Sequence, residues 1–374
     1  MGAHANPDII DDSLVFMYDT DDGKSYKGEP TTNLLNHTTE FNNWIAAKNS
    51  GTAPTVTADT SVNPLGLVNA PMADKVYIPD DGTYPRIQQY FTPPSTNTHT
   101  FSVWIRSLSG NCDCFLGAFR NSPWSLPGSS VKSITGEWQR FTFSWTPPDT
   151  TTHLIYMGSH DTAAQKGNTL EFWGAQMEAK SHATQFTTGT RSATQGLLDR
   201  TGTSTIDISS ASFDSNAQMT FDGTNDHVSL GNPTAFRDLT AGTIETVYYR
   251  DASSSTYQMI FTDAGSDLEI NYSANVLQFY IGNSGLSYTH AVTDQWFNVV
   301  GTWGANFKKL YINGVEVASG GNTGTDTGSR DRYLGGRGAN FPFNGKIPIA
   351  KIYNRTLTDK EIMQNYNATK GRFQ

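Results

Sequence analysis

Trp296-Phe297-Asn298-Val299-Val300-Gly301-Thr302-Trp303, followed by Lys309-Leu310-Tyr311-Ile312-Asn313-Gly314-Val315-Glu316-Val317, sets the fold class. Both runs are rich in branched and aromatic side chains, which pack well on a pleated surface. Asn313-Gly314 stands between alternating segments. A type I′ hairpin turn needs positive φ at both central positions, and Asn and Gly tolerate that conformation. The spacing therefore predicts antiparallel strands joined by a tight turn.

The same pattern repeats on either side of this stretch. Residues 100–106 place Phe101, Val103 and Ile105 on one face, as a half-buried strand requires. Residues 138–145 alternate too, and Pro147-Pro148 closes that strand by removing backbone donors. Residues 170–173 make another short strand. One helix is expected, and it is the last element. Thr358 and Glu361 fit a capping box, Ile362, Met363 and Tyr366 share a face, and Gly371 follows the end. An all-β fold with a short C-terminal helix follows from these patterns.

A chain of 374 residues exceeds one ordinary core, so two domains are expected. With 16% charged and 12% aromatic residues, the composition excludes a disordered chain and suits turn-rich sheet. A formal net charge of −9 argues against nucleic acid or an anionic membrane as partner. The basic runs Lys308-Lys309 and Arg330 to Arg332 are short and read as solvated faces. Cys112 and Cys114 are too close for an unstrained disulfide and too few for a zinc site, so two reduced thiols are expected. The first eight residues lack the basic and apolar regions of a signal peptide, and no apolar run approaches the ~20 residues needed to cross a bilayer. Synthesis and folding in the cytosol are the expectation. No heptad, collagen or longer repeat encodes a fibre shaft.

Residues 219–228, 243–249, 296–300, the Tyr311-Ile312-Asn313-Gly314 turn, 343–347 and 352–362 follow one another in a recognisable order. Together they resemble the laminin-G-like branch of the concanavalin A-like lectin/glucanase superfamily, in the version common in phage genomes. Residues 7–19 resemble the first strand of that family. Its usual continuation after Lys24-Ser25-Tyr26 is delayed here until near Gly196. The resemblance thus implies an insertion: 1–30 as the first strand, 31–195 as an inserted domain, and 196–374 as the remainder of the outer sandwich. Polar stretches at 29–32 and 187–195 read as the junctions.

Within the insert, Asn33-Leu34-Leu35, Glu40-Phe41-Asn42-Asn43-Trp44, Trp104, Trp138-Gln139-Arg140 and residues 173–178 with Ala183-Thr184 resemble phage tail- and head-associated domains. Those are similar to carbohydrate-binding-module jelly rolls. The implied architecture is all-β, two jelly-roll or concanavalin A-like β-sandwiches, one inserted into the other, with a short C-terminal helix.

Glycoside hydrolysis needs two carboxylates across the scissile bond, and glucanases of the resembled superfamily carry an acidic triad along one strand. Asp267-Leu268-Glu269 is the nearest candidate, but Asn271 and Tyr272 follow where a third acid would fall. A solvent-facing acidic pair is expected, with no catalytic residue. Gly282-Asn283-Ser284-Gly285 has the wrong spacing for a nucleophile elbow, and Gly335-Gly336 with Gly338 reads as a loop. Asp19, Asp21 and Asp22, and separately Asp222, Asn225 and Asp226, are oxygen donors of the kind Ca²⁺ uses in sets of six to eight. They are also ordinary turn residues, and the turn reading is the expectation. The carbohydrate-binding-module resemblance adds Glu40 as a structural-calcium candidate, although the matching acid is missing where Trp173 stands.

A sugar platform is an exposed aromatic ring, since CH faces of a pyranose stack on a π surface. Trp124, in the turn-rich Asn121-Ser122-Pro123-Trp124-Ser125-Leu126-Pro127-Gly128, is the carbohydrate-binding candidate. Trp104, Trp138 and Trp173 are assigned to packing. The expected function is a non-enzymatic bacteriophage virion surface protein: a capsid decoration, a head fibre or a tail-associated knob. The alternatives are a receptor-binding lectin of a tail fibre that recognises host glycans, and a glucanase-like enzyme. Expected partners are other virion proteins, host surface glycans and further copies of the chain on the particle.

Overall fold

The computed structural model describes residues 8–66, 70–252, 256–265, 267–326 and 329–373. These divide into two compact units. One comprises the described residues up to Pro30, Ser192–Asp214 and those from Gln218 onward; the other is Thr31–Arg191 with Ser215–Ala217.

The discontinuous unit is a sandwich of an eight-stranded and a six-stranded antiparallel sheet. Its hairpin Lys308–Ile312 to Val315–Gly320 turns through Asn313 and Gly314, whose φ values are both positive at 51° and 78°. Asn344–Tyr353 is a central strand. One of its edges pairs with Gly242–Arg250, and the other carries Met219–Asp222 and Leu14–Asp19. Leu14 lies opposite Tyr353 and Asp19 opposite Ile349. Alternation sends Phe16 and Tyr18 into the core cluster between the two sheets, which also holds Phe221, Ile244, Tyr272 and Trp303.

The helix Asp359–Thr369 begins with the expected reciprocal cap: the Thr358 hydroxyl accepts from Glu361 N, and Glu361 Oε2 accepts from Thr358 N at 2.8 Å. Its buried stripe differs from expectation. Ile362, Asn365 and Thr369 are buried, whereas Met363 is exposed. The stripe is partly polar because Asn365 meets Glu245 in the sheet below, a partner that hydrophobic periodicity cannot register. Among the described residues no helix is long and apolar enough to cross a membrane.

The second unit packs two five-stranded antiparallel sheets face to face. One runs Gln139–Trp145, His99–Ser107, Asn168–Glu178, Ala73–Ile78, Thr55–Ser61; the other runs Ile45–Ala47, Arg86–Phe91, His153–Gly158, Cys112–Arg120, Ser125–Ile134. Phe101, Val103 and Ile105 are fully buried between them with Ile87, Leu116 and Phe172. The stretches read as irregular junctions are partly ordered. Thr31–Thr32 pairs with Thr190–Arg191, which sets the two ends of this unit side by side, and Ala193–Gly196 forms one helical turn. Cys112 and Cys114 are free thiols, and burial pushes Cys114 up to about 12, so it stays protonated.

Candidate functional site

Strand parity builds an aromatic strip on the second unit. Cys112–Arg120 directs Cys114, Leu116 and Ala118 into the core, so Phe115, Gly117 and Phe119 point to the opposite face. Register places Tyr156 opposite Gly117 and Leu154 opposite Phe119. Phe115, Phe119, Leu154 and Tyr156 form a cluster separate from the main core. A Cβ on residue 117 would stand 2.5 Å from Phe115 Cε1 and 2.9 Å from Phe119 Cε2. The two rings fold over that glycine, and no larger residue leaves them the room.

The rings stack in sequence. Phe119 lies on Tyr156 at 5.2 Å and 22°, and Trp124 lies on Phe119 at 4.9 Å and 27°. At the other end His160 stacks on Phe115 at 4.5 Å and 21°. The Arg86 guanidinium sits 5.1 Å from the Tyr156 centroid, held by Gln88 Oε1, Asn49 Oδ1 and the Tyr84 carbonyl. The Tyr156 hydroxyl donates to the Ser159 carbonyl, and burial raises this phenol well above its ordinary range. Trp124 follows a cis Ser122–Pro123 peptide and is 56% exposed. Tyr90, Val131 and Ile45 are exposed at register positions on the same face. The result is a rigid indole backed by buried rings and open on its remaining surface, which suits stacking on an apolar sugar face at little entropic cost.

Sequence reading singled out Trp124 but not Phe115, Phe119, Tyr156 or His160. The i, i+2, i+4 spacing of Phe115, Gly117 and Phe119 carried that signal. The other tryptophans are placed unevenly. Trp173 is buried, and its indole N–H donates to the Pro71 carbonyl at 2.9 Å. Trp104 and Trp138 are half-buried on outward faces, each beneath a guanidinium: Arg140 at 4.4 Å and Arg106 at 4.8 Å. The strand of Trp104 alternates, and its core-facing positions belong to Phe101, Val103 and Ile105, whereas Trp138 lies just ahead of the strand Gln139–Trp145.

The acidic pair is not solvent-facing as expected. Glu269 is buried; it accepts from the Thr262 hydroxyl at 3.0 Å and pairs with Arg337, while Asp267 pairs with Arg330 at 2.9 Å. Both carboxylates are engaged by cations from distant parts of the chain.

The calcium candidates are separated. Glu40 is exposed and contacts two nitrogens, His37 Nδ1 at 3.2 Å and Asn43 Nδ2 at 3.0 Å. Asp226 accepts from Asp222 N at 2.8 Å and from the Ser212 hydroxyl at 3.1 Å, and Asp222 accepts from Thr224 N at 2.8 Å. Asn225 is exposed, and its carbonyl faces His227 Nδ1 at 3.2 Å. Asp19 is clamped by Arg372 through two 2.6 Å bonds. Among the described residues, no group of three or more His, Cys, Asp or Glu side chains is placed to hold a metal. Asp222 and Asp226 thus accept from backbone N–H groups of their own turn, and Asp19 is held by the Arg372 cation.

The fold is that of a protein with two antiparallel β-sandwich units. Residues 222–363 match the family described as the concanavalin A-like lectin/glucanases superfamily, in its laminin-G form. No curated protein sequence matches the chain. Among solved structures, the botulinum neurotoxin serotype G binding domain is similar at 15% identity and TM-score 0.40, over 46% of this chain and 48% of that one. The match thus spans about half of the toxin domain. Domain 4 of AbnA, an extracellular arabinanase from Geobacillus stearothermophilus, in complex with arabinotriose, is similar at 17% identity and TM-score 0.36, over 47% and 93% of the two chains. The Ruminococcus gnavus IT-sialidase CBM40 bound to α2,3-sialyllactose is similar at 20% identity and TM-score 0.32, over 38% and 93%.

Proposed function

We propose that this chain is a non-enzymatic surface protein of a bacteriophage particle that contacts host cell-surface glycans through the Trp124 face. The observation that carries the glycan reading is the Trp124 indole, stacked on Phe119 yet more than half exposed. A large aromatic ring held open by a buried aromatic base serves recognition better than packing. The non-enzymatic reading is supported by the commitment of Asp267 and Glu269 to Arg330 and Arg337. A carboxylate fixed in an ion pair is a poor general acid, because the cation favours its charged form. The particle setting rests on the resemblance of both units to phage domains.

Glycan-array binding by the full chain, compared with Trp124→Ala, tests the reading. The parent protein should bind, and the variant should lose at least tenfold in affinity while keeping its unfolding midpoint. Absence of binding by the parent, or unchanged binding by the variant, overturns the glycan reading. Release of reducing sugar that Glu269→Ala abolishes overturns the non-enzymatic one. Immunogold labelling of purified virions tests the location, and unlabelled particles overturn it.

A further inference from the structure

At one end of the second unit, His99 opens the strand His99–Ser107 opposite Trp145, and His153 opens His153–Gly158 between Phe91 and Arg120. Both imidazoles are fully buried. Each places Nδ1 2.8 Å from a backbone carbonyl two residues earlier, Asn97 O and Thr151 O respectively. A carbonyl can only accept, so each Nδ1 carries the hydrogen and each neutral ring leaves Nε2 as a bare acceptor. Both Nε2 atoms are buried without a hydrogen-bond partner, and so is the Trp145 indole N–H. The Trp145 ring lies 5.9 Å from the His99 ring and 5.2 Å from the His153 ring. Two acceptors and one donor gathered around one indole suit a water molecule, whose two O–H groups can donate to the imidazoles while a lone pair accepts from the indole N–H.

We propose that His99, His153 and Trp145 hold one enclosed water, and that this cluster is an acid-sensitive latch between the two sheets of the inserted sandwich. Protonation of either Nε2 turns an acceptor into a donor and breaks the match with the water. It also places a positive charge inside the sandwich. The charged groups facing the pair are Arg120, on the strand beside His153, and Asp149, which is already ion-paired with Arg120. Phe91 and Trp145 bring no charge, and Glu178, opposite Thr100 on the strand Asn168–Glu178, is occupied by the Thr31 hydroxyl and Thr184 N. Burial, with a smaller contribution from His153, holds His99 below the ordinary histidine range. The sign follows from linkage. The unfolded chain binds a proton on His99 near pH 6.5 that the folded one refuses, so stability is full above that pH and declines as pH falls below it.

Thermal unfolding of the full chain at pH 7.5 and pH 5.0, compared with the His99→Gln/His153→Gln variant, tests the latch. The parent midpoint should fall by several degrees on acidification, and the variant should lose most of that dependence. An equal fall in both proteins, or none in the parent, overturns the proposal. Imidazole ¹⁵N NMR of the parent provides a test that needs no variant. Both rings should show the Nδ1–H tautomer at pH 7, with a cross-peak from bound water to the Trp145 indole N–H. An Nε2–H tautomer in either ring, absence of that cross-peak, or a midpoint that moves with added Zn²⁺ overturns it.

Discussion

The Lys351 ammonium donates to the Glu245 carboxylate at 3.0 Å, and both side chains are fully buried. Asn298 Nδ2 donates to the same oxygen at 2.9 Å, and Asn365 Nδ2, from the C-terminal helix, donates to the other at 2.7 Å. Asn365 Oδ1 in turn accepts from Ile10 N at 2.8 Å. The carboxylate thus ties the helix to the sheet, and Asn365 ties the helix to the segment ahead of the first strand. Removing the cation leaves that carboxylate buried and uncompensated, whereas neutralising both partners does not. Lys351→Met should destabilise the protein by about 3–5 kcal/mol, read as a lowered urea midpoint. Lys351→Met/Glu245→Gln should recover a large part of the loss. A single variant with an unchanged midpoint would show that the pair contributes little.

Gly117 controls the aromatic strip from beneath. Any Cβ there meets the Phe115 and Phe119 rings at less than 3 Å, so Gly117→Val should displace Phe119 and with it the indole that stacks on it. Overpacking of this kind costs about 1–3 kcal/mol. Glycan affinity should fall although Trp124 is untouched, and Trp124 fluorescence should shift toward that of a solvated indole. Retained affinity would mean that the indole does not depend on its aromatic base.

The strands were legible wherever alternation was clean, as at Phe101, Val103 and Ile105, and the turn was legible in Asn313-Gly314 because its backbone demand is local. Asn168–Glu178 was harder to read. Its eleven residues contain a register shift between Trp173 and Gln176, with Gly174 at φ +66°, and a bulge breaks the period of two that marks a strand. Glu269 read as solvent-facing because Arg337, which covers it, lies 68 residues away in the chain. Trp124 could be singled out from its turn-rich setting. Part of its support could not, because Tyr156 and His160 reach the strip only through strand pairing and a following turn.

The cap of the C-terminal helix gives a second pH response, well separated from that of the histidine latch. A hydrogen bond from Arg355, reinforced by Thr358, holds Glu361 at about 2, below its ordinary 4.5. A carboxylate with a depressed folded value adds stability that is fully present above about 4.5 and is lost as pH falls through about 2. Glu361→Gln keeps an acceptor for the Thr358 N–H but removes the charge facing Arg355. The variant should therefore melt below the parent at pH 7, and the two should converge as pH approaches 2. A difference that persists undiminished at pH 2 would assign it to packing rather than to charge.

The pairing of Leu14–Asp19 with Asn344–Tyr353 makes the discontinuous unit dependent on residues far from it in sequence. Phe16 and Tyr18 are fully buried, and the Tyr18 hydroxyl donates to the Ile347 carbonyl at 2.7 Å. Burial of each such side chain is worth roughly 1.5–3 kcal/mol, against a total stability of typically ~5–15 kcal/mol. Without this strand, the edge of Asn344–Tyr353 would also present unpaired N–H and C=O groups. Thr31–Arg191 contains both of its own sheets, a core between them, and ends that pair with each other. Residues 31–191 expressed alone should therefore melt cooperatively. Residues 192–374 alone should aggregate or fail to melt cooperatively, and adding a peptide of residues 8–30 should restore a cooperative transition. Circular dichroism melts and size-exclusion chromatography of the three samples decide the matter. A native-like transition from residues 192–374 without the peptide would show that the first strand is dispensable, and that the outer sandwich is complete without the segment from which the insert interrupts it.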